Sequence, residues 1–518
     1  MYEAFTNLFF TRKKLFIVCL WCIVVCTGES KNLFNGIKLD VSTSGTTSSG
    51  SYAPLWLSSN KYGTVSPYDN SAYERIGLFR SLTTDSVRLW RLGYGIDLML
   101  NQHSTSTFFI QQAYVEGEYK KVNLSIGAKE RTIDLRNNEL TSGGLSNGIN
   151  AHPIPQLRME IDYFSIPGTH GWWKWKIRGS FGMTTDGNWQ KNFVRDGHKY
   201  TSNTLYHEKA IYWKFGKEDH PKVPLTYEIG IQMFTQFGGK AYNVNYREHI
   251  GGTQTIDMPE NLKAFWQAIF GGGRDVTDFT ESNNVGNMLG SYNMRLAWHG
   301  HTASGKAWEV GAYFERYFED QSMLTLQYGI QDHLIGIDAT LPANKFVSSV
   351  VIEHMSTRNQ SGAVYHDRTK SIPDKMNGRD DYYNHNIYSG WQHWGQAIGN
   401  PLLTSPVYNN IYDISLNKSG RIHFFNNRVK AWHIGLSGDP TPQLHWRLFM
   451  TFTKNWGTYY YPFKDVLKQQ YYMAEIGWKP QTMKGWSGKI AFGLDHGDLI
   501  GNSFGAQLTI HKTFSLTK

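Results

Sequence analysis

The stretch Lys121-Val-Asn-Leu-Ser-Ile-Gly-Ala-Lys129 decides the fold class. Val122, Leu124, Ile126 and Ala128 alternate with Lys121, Asn123, Ser125, Gly127 and Lys129, a period of two that gives one strand an apolar and a polar face. The same period recurs along the chain. Leu157, Met159, Ile161 and Tyr163 alternate with Arg158, Glu160 and Asp162; Trp173, Trp175 and Ile177 alternate with Lys174, Lys176 and Arg178. Tyr292 to Trp298, Leu444 to Met450 and the terminal Gln507 to Phe514 repeat it. Gly, Asn, Asp and Pro clusters such as Thr185-Asp-Gly-Asn188 and Ser437-Gly-Asp-Pro440 separate the strands as turns.

The composition agrees with an all-β chain. Of 518 residues, 15% are aromatic and 18% charged, which excludes disorder, and Gly, at 51, follows no collagen period. No apolar run of about 20 residues is present after the leader, so the chain is not a bundle of membrane helices. One helix interrupts the strands, predicted over Asp257–Phe270: Asp257 caps it with Glu260 three residues on, Leu262, Phe265, Trp266 and Ile269 form its stripe, and Gly271 to Gly273 end it.

Arg12, Lys13 and Lys14 precede an apolar segment from Leu15 to Cys26, as in a secretory signal peptide, assigned to 1–28. Cys19, Cys22 and Cys26 all lie within it, so the mature chain is expected to carry no thiol. Cleavage there removes three cations and one carboxylate, taking the net charge from +9 to about +7. That mild bias suits an anionic partner or a solvated surface, and no basic run or motif points to nucleic acid. The Ser/Thr/Gly tract Ser42–Ser51 reads as flexible, giving a flexible N-terminal segment over 29–51 and a single barrel over 52–518.

A soluble sandwich and a membrane barrel share this alternation. The barrel is favoured by Trp and Tyr near strand ends (Tyr163, Trp173, Trp298, Trp446), by the export signal and by a terminal strand with Phe514 near its end. At about 9 to 11 residues per strand the mature length holds roughly 16 to 20 antiparallel strands in the bacterial outer membrane.

Six blocks resemble, in order, the capsule-assembly Wzi family of outer-membrane proteins, in overall form its Bacteroidota members: Ser142–Arg158, Leu205–Tyr212, Gly286–Tyr292, Tyr317–Asp320, Tyr388–Leu403 and Asn427–Ser437. The resemblance implies a transmembrane barrel of about 18 strands, with a short helix in a loop here, that binds capsular or extracellular polysaccharide as a lectin and helps to assemble or anchor it. Near Ser146 the chain departs from the family's pattern, His152 standing in place of an Arg. Beyond the polysaccharide, the expected partners are outer-membrane lipid, including lipopolysaccharide, and the polysaccharide export machinery.

Carbohydrate recognition needs flat aromatic faces beside hydrogen-bonding groups. Tyr382, Tyr383 and His385 with Trp391 and Trp394 supply these in one segment, and Trp456 with Tyr459 in another; girdle or loop packing accounts for such rings equally well. Arg158, Lys174, Lys176, Arg178, Arg295 and Arg447 form a basic lumen face, which either attracts acidic glycan or pairs with Glu160, Glu309 and Glu475. Gly144-Leu-Ser146-Asn-Gly148 matches a nucleophile elbow, but Pro153 and Pro155 follow where a helix is needed, so it reads as a turn or inward-folded loop. No His-Glu-x-x-His helix accompanies the scattered histidines, and no metal, cofactor or catalytic residue is assigned. Two rivals to the polysaccharide reading stand: a porin for small solutes and an outer-membrane hydrolase.

Overall fold

In the computed structural model, residues 34–195, 197–244, 254–270, 286–319, 330–360, 380–409 and 420–516 are described. Eighteen antiparallel strands close into one barrel. They are β1 (Ile37–Ser48), β2 (Ser71–Arg80), β3 (Trp90–Gln102), β4 (Phe108–Tyr119), β5 (Val122–Ala128), β6 (Gln156–Ser165), β7 (Trp173–Met183), β8 (Leu205–Gly216) and β9 (Leu225–Phe237). The second half comprises β10 (Asn287–His301), β11 (Ala307–Glu319), β12 (His333–Thr340), β13 (Ser349–Ser356), β14 (Val429–Thr441), β15 (Leu444–Gly457), β16 (Pro462–Trp478), β17 (Trp486–Gly497) and β18 (Ser503–Ser515). Closure is made by β1, which pairs with β2 on one side and β18 on the other.

The outward side chains separate a membrane barrel from a soluble sandwich. Across neighbouring strands Ile337 faces Ile352, and Ile490 faces both Ile476 and Leu508. All five project from the barrel, Ile337 59% and Leu508 53% exposed. Leaving such a side chain in water forgoes roughly 1.5–3 kcal/mol, so a continuous belt of them faces lipid.

The Ser/Thr/Gly tract is not a linker. Its residues Ser42–Ser48 lie in β1, where Ser44 Oγ meets Thr509 Oγ1 at 2.8 Å and Gln507 Nε2 donates to Thr46 Oγ1 at 2.8 Å. From Ser42 on the lumen face of β1 is hydroxylic and its outward face carries Thr43 and Gly45, so the apolar period of Ile37, Leu39 and Val41 does not continue into the tract. Without β1, β2 and β18 would present unpaired edges. The barrel therefore begins at Ile37, while residues 1–33, including the expected signal peptide, lie outside the described residues.

Tyr163 is a second correction. The register of β6 against β7 shifts between Ile161 and Phe164, and this bulge turns Tyr163 into the lumen, where its hydroxyl bonds Glu228. Trp173, stacked on Phe215, and Trp298 stay outside as girdle residues.

Both described ends of the barrel chain, near Ile37 and Ser515, lie at one rim, and every connection at that rim is short, none longer than 81–89. The opposite rim carries 49–70, 129–155, 184–204, 238–286 and 357–428. Short turns on the periplasmic side and long loops outside are the arrangement of outer-membrane barrels, which orients the chain.

The helix is shorter than predicted. It spans Leu262–Phe270, and Asn261 Oδ1 caps it by accepting from Ala264 N at 2.9 Å. Asp257 ends a short strand, and Glu260 instead accepts from Gly239 N at 2.7 Å. Gly271 to Gly273 lie outside the described residues.

Candidate functional site

Three long loops turn inward and fill the barrel. Leu55, Trp56 and Leu57 from 49–70, Leu140, Leu145 and Ile154 from 129–155, and Tyr382, Tyr383, Trp391, Leu402, Val407 and Phe424 from 357–428 pack into one buried cluster with wall residues such as Tyr206, Phe234, Tyr313 and Phe449. Burying this much aromatic surface holds the loops together, and polar anchors fix them to the wall.

The anchors are lumen carboxylates on strands. Glu315 on β11 accepts from Leu145 N at 2.8 Å and Ser146 N at 3.1 Å and pairs with Arg136. Glu353 on β13 accepts from Thr141 Oγ1 at 2.5 Å, Ser142 N at 2.8 Å and Tyr313 Oη at 2.6 Å. Asp495 on β17 accepts from Leu55 N at 2.8 Å. Each offers carboxyl oxygens to loop amides that would otherwise be buried unpaired. Nothing but lumen-side parity marks these three in the sequence.

The expected sugar platforms divide. Tyr382, Tyr383 and Trp391 are fully buried in the plug and are not surface rings. Trp391 Nε1 donates to Ser146 O at 2.9 Å; the Tyr383 hydroxyl donates to Leu145 O and accepts from Asn400 N at 2.9 Å. A Cβ on Gly148 would stand 2.6 Å from Gly399 O, so glycine lets these two plug segments touch. His385 Nδ1 is occupied by Ile387 N and Tyr388 N, and Trp394 is half-buried against Phe109. Replacing Trp391 with Ala is expected to destabilise the plug by about 3–5 kcal/mol while the barrel still assembles, read as faster amide exchange in 380–409 with unchanged heat-modifiable gel mobility.

Trp456 and Tyr459, in contrast, stand at the extracellular rim. The Arg358 guanidinium lies 4.8 Å from the Trp456 ring centre, and that of Arg428 lies 3.8 Å from the Tyr459 ring. Arg428 Nε donates to Arg358 O at 3.0 Å, and Tyr460 beside them is 65% exposed. Among the described residues no carboxylate pairs with either guanidinium. The lumen cations differ. Arg158 pairs with Glu160 and Glu208, Lys176 with Asp134 and Glu160, and Arg178 with Asp134 and Glu208. Arg295 bridges Glu309 and Asp338, and Arg447 pairs with Glu475. Lys174 stands nearest the periplasm, opposite Lys214. The basic face is thus largely neutralised, and Arg158, Lys176 and Arg178 line a charged vestibule of ≈ 640 Å³.

Ser146 forms no nucleophile elbow. It is buried, its Oγ within 2.7 Å of Ser291 Oγ, and Gln232 Nε2 donates to it at 2.8 Å, with no imidazole among the described residues bonded to it. Gly144–Gly148 belongs to the inward-folded plug loop.

Asp381 borders the plug, accepting from Asn427 Nδ2 at 2.6 Å and Asn384 Nδ2 at 3.0 Å, with His423 at 3.7 Å. Burial pushes its carboxyl up from 3.8 to about 6. A folded-state pKa raised above the unfolded one stabilises most below the unfolded value and loses that contribution as pH rises through the folded value, here roughly 3 kcal/mol across the window. Amide protection in 380–388, corrected for intrinsic rates, is therefore expected to fall between pH 4 and pH 6.5, and Asp381→Asn to abolish that step.

The closed wall, lipid-facing belt and short-turn periplasmic rim define an outer-membrane β-barrel, here with a filled lumen. No family model and no curated protein matches the chain. Among solved structures it is similar to Wzi, an outer-membrane protein involved in group 1 capsule assembly in Escherichia coli and a carbohydrate-binding β-barrel, with 14% identity over 97% of this chain and 89% of that one and a TM-score of 0.54. It also aligns with OccK3 of Pseudomonas aeruginosa, with 12% identity, 93% and 96% coverage and a TM-score of 0.44. A BenF-like porin of Pseudomonas fluorescens Pf-5 aligns with 9% identity, 93% and 100% coverage and a TM-score of 0.45. The likeness to Wzi is one of fold.

Proposed function

We propose that this barrel binds surface polysaccharide outside the cell and holds it there, without catalysing a reaction. The observation that carries this reading is the extracellular rim patch, in which Arg358 on Trp456 and Arg428 on Tyr459 present cations that form no ion pair among the described residues beside aromatic faces. Rings match the apolar faces of sugars and guanidinium forks match carboxylates or other anionic substituents. The carbohydrate binding stated for Wzi supports the same reading. A polymer that engages many copies at once turns weak single contacts into firm retention. The filled lumen favours a binding barrel over a porin.

The test is co-sedimentation of proteoliposomes with polysaccharide isolated from the native host. Sedimentation of the polymer with protein-bearing vesicles and not with empty ones is expected; equal recovery in both would remove the reading.

A further inference from the structure

The helix Leu262–Phe270 lies against the outside of the barrel. Ala264 and Ala268 are buried against Leu205 on β8 and Phe237 on β9, and the Phe265 ring packs at 5.2 Å from Phe181 on β7 and 5.1 Å from Phe237. Phe181 and Phe237 point away from the lumen, since Arg178 and Gln232, an odd number of residues away on the same strands, point into it. Lys209 Nζ on β8 bonds the helix carbonyl of Ile269, fixing its C-terminal end to the wall.

The face turned away from the barrel is also apolar. Leu262, Trp266 and Phe270, spaced by four, are 82%, 65% and 63% exposed, with the last two rings 4.5 Å apart. A helix with apolar residues on both faces is not a water-surface helix.

Its height identifies what covers it. On β9, Tyr227 lies near the periplasmic edge of the lipid belt and Phe237 ends the strand on the extracellular side. Ten residues at about 3.3 Å each, tilted by about 40°, rise about 25 Å, the height of an outer-membrane apolar band. The helix thus sits where that band meets the outer headgroup region, and its exposed stripe continues the barrel's own lipid-facing surface. Trp266 and Lys263 suit that boundary, where an indole and a snorkelling ammonium both settle.

We infer that Leu262, Trp266 and Phe270 insert among the acyl chains of the outer leaflet, so that this helix lies in the membrane interface and fastens the extracellular loop 238–286 to the lipid surface. The occupant is lipid hydrocarbon, continuous with the annulus around the barrel, and the inference does not depend on polysaccharide binding.

Single cysteines at 262, 266 and 270, in a chain carrying Cys19→Ala, Cys22→Ala and Cys26→Ala, would be spin-labelled and the protein placed in lipid nanodiscs. Collision with oxygen relative to a water-soluble nickel chelate is then measured against Ile490→Cys, in the lipid belt, and Ser304→Cys, in an exposed periplasmic turn. At all three helix positions the oxygen-to-chelate ratio is expected to exceed that at 304 several-fold and to approach that at 490. Ratios equal to that at 304 would overturn the inference. So would disulfide-linked dimers through Trp266→Cys in unlabelled samples, which would make a second copy the occupant. Heat-modifiable gel mobility confirms assembly of each variant, and labels at exposed sites leave the helix packing intact.

Discussion

In planar bilayers the intact protein is expected to carry no steady ionic current, and the double substitution Glu315→Ala with Glu353→Ala to produce discrete openings. The expectation rests on how the plug is held. Glu315 and Glu353 together accept from five loop groups, the amides of Leu145, Ser146 and Ser142 and the hydroxyls of Thr141 and Ser146. They also flank Arg136, whose side chain is 2% exposed. Removing both carboxylates strands a buried guanidinium, a change costing on the order of 3–5 kcal/mol, besides releasing the loop amides. The barrel's interstrand hydrogen bonds are untouched, so the expected damage is local: a plug that leaves its seat. A current through the unmodified protein comparable to that of an open porin would show that the lumen is not closed in the membrane.

The rim patch carries the second large effect. Arg358→Gln with Arg428→Gln, and separately Trp456→Ala with Tyr459→Ala, are expected to release polysaccharide from proteoliposomes. Each lost charge-assisted hydrogen bond is worth about 1.5–3 kcal/mol, a factor of ten or more per copy, and polyvalent attachment multiplies that loss. Because these four residues lie outside the buried plug cluster, assembly and bilayer silence are expected to persist in both variants. If only the aromatic pair matters, the glycan is recognised through its apolar faces and its charge is incidental.

The alternation at Lys121–Lys129 became β5 because there the lipid face is apolar and the lumen face polar without interruption. At β1 the same rule failed, since Thr43 and Gly45 face outward and cut the period of Ile37, Leu39 and Val41 short. At Tyr163 it failed by one residue, because a bulge reverses parity and cannot be seen in a pattern of types. The ion pairs of Arg295 with Glu309 and Arg447 with Glu475 were legible, each joining strands that pair directly. The plug was not. Tyr382, Tyr383 and Trp391 have the composition of a sugar platform, and only the inward fold of 357–428 buries them. The Ser142–Arg158 and Tyr388–Leu403 blocks are largely plug segments that contact one another, as Asn150 Nδ2 does in donating to Ala397 O at 3.1 Å. The signal carried by those blocks was thus one of packing inside the barrel, while Trp456 and Tyr459 lay outside all six.

The most direct test of the central claim is a clean deletion of the gene in the native host, with surface polysaccharide quantified in the cell-bound and medium fractions. Polymer is expected to move from cells to medium at constant total. An unchanged partition, with the rest of the envelope intact, would contradict that claim.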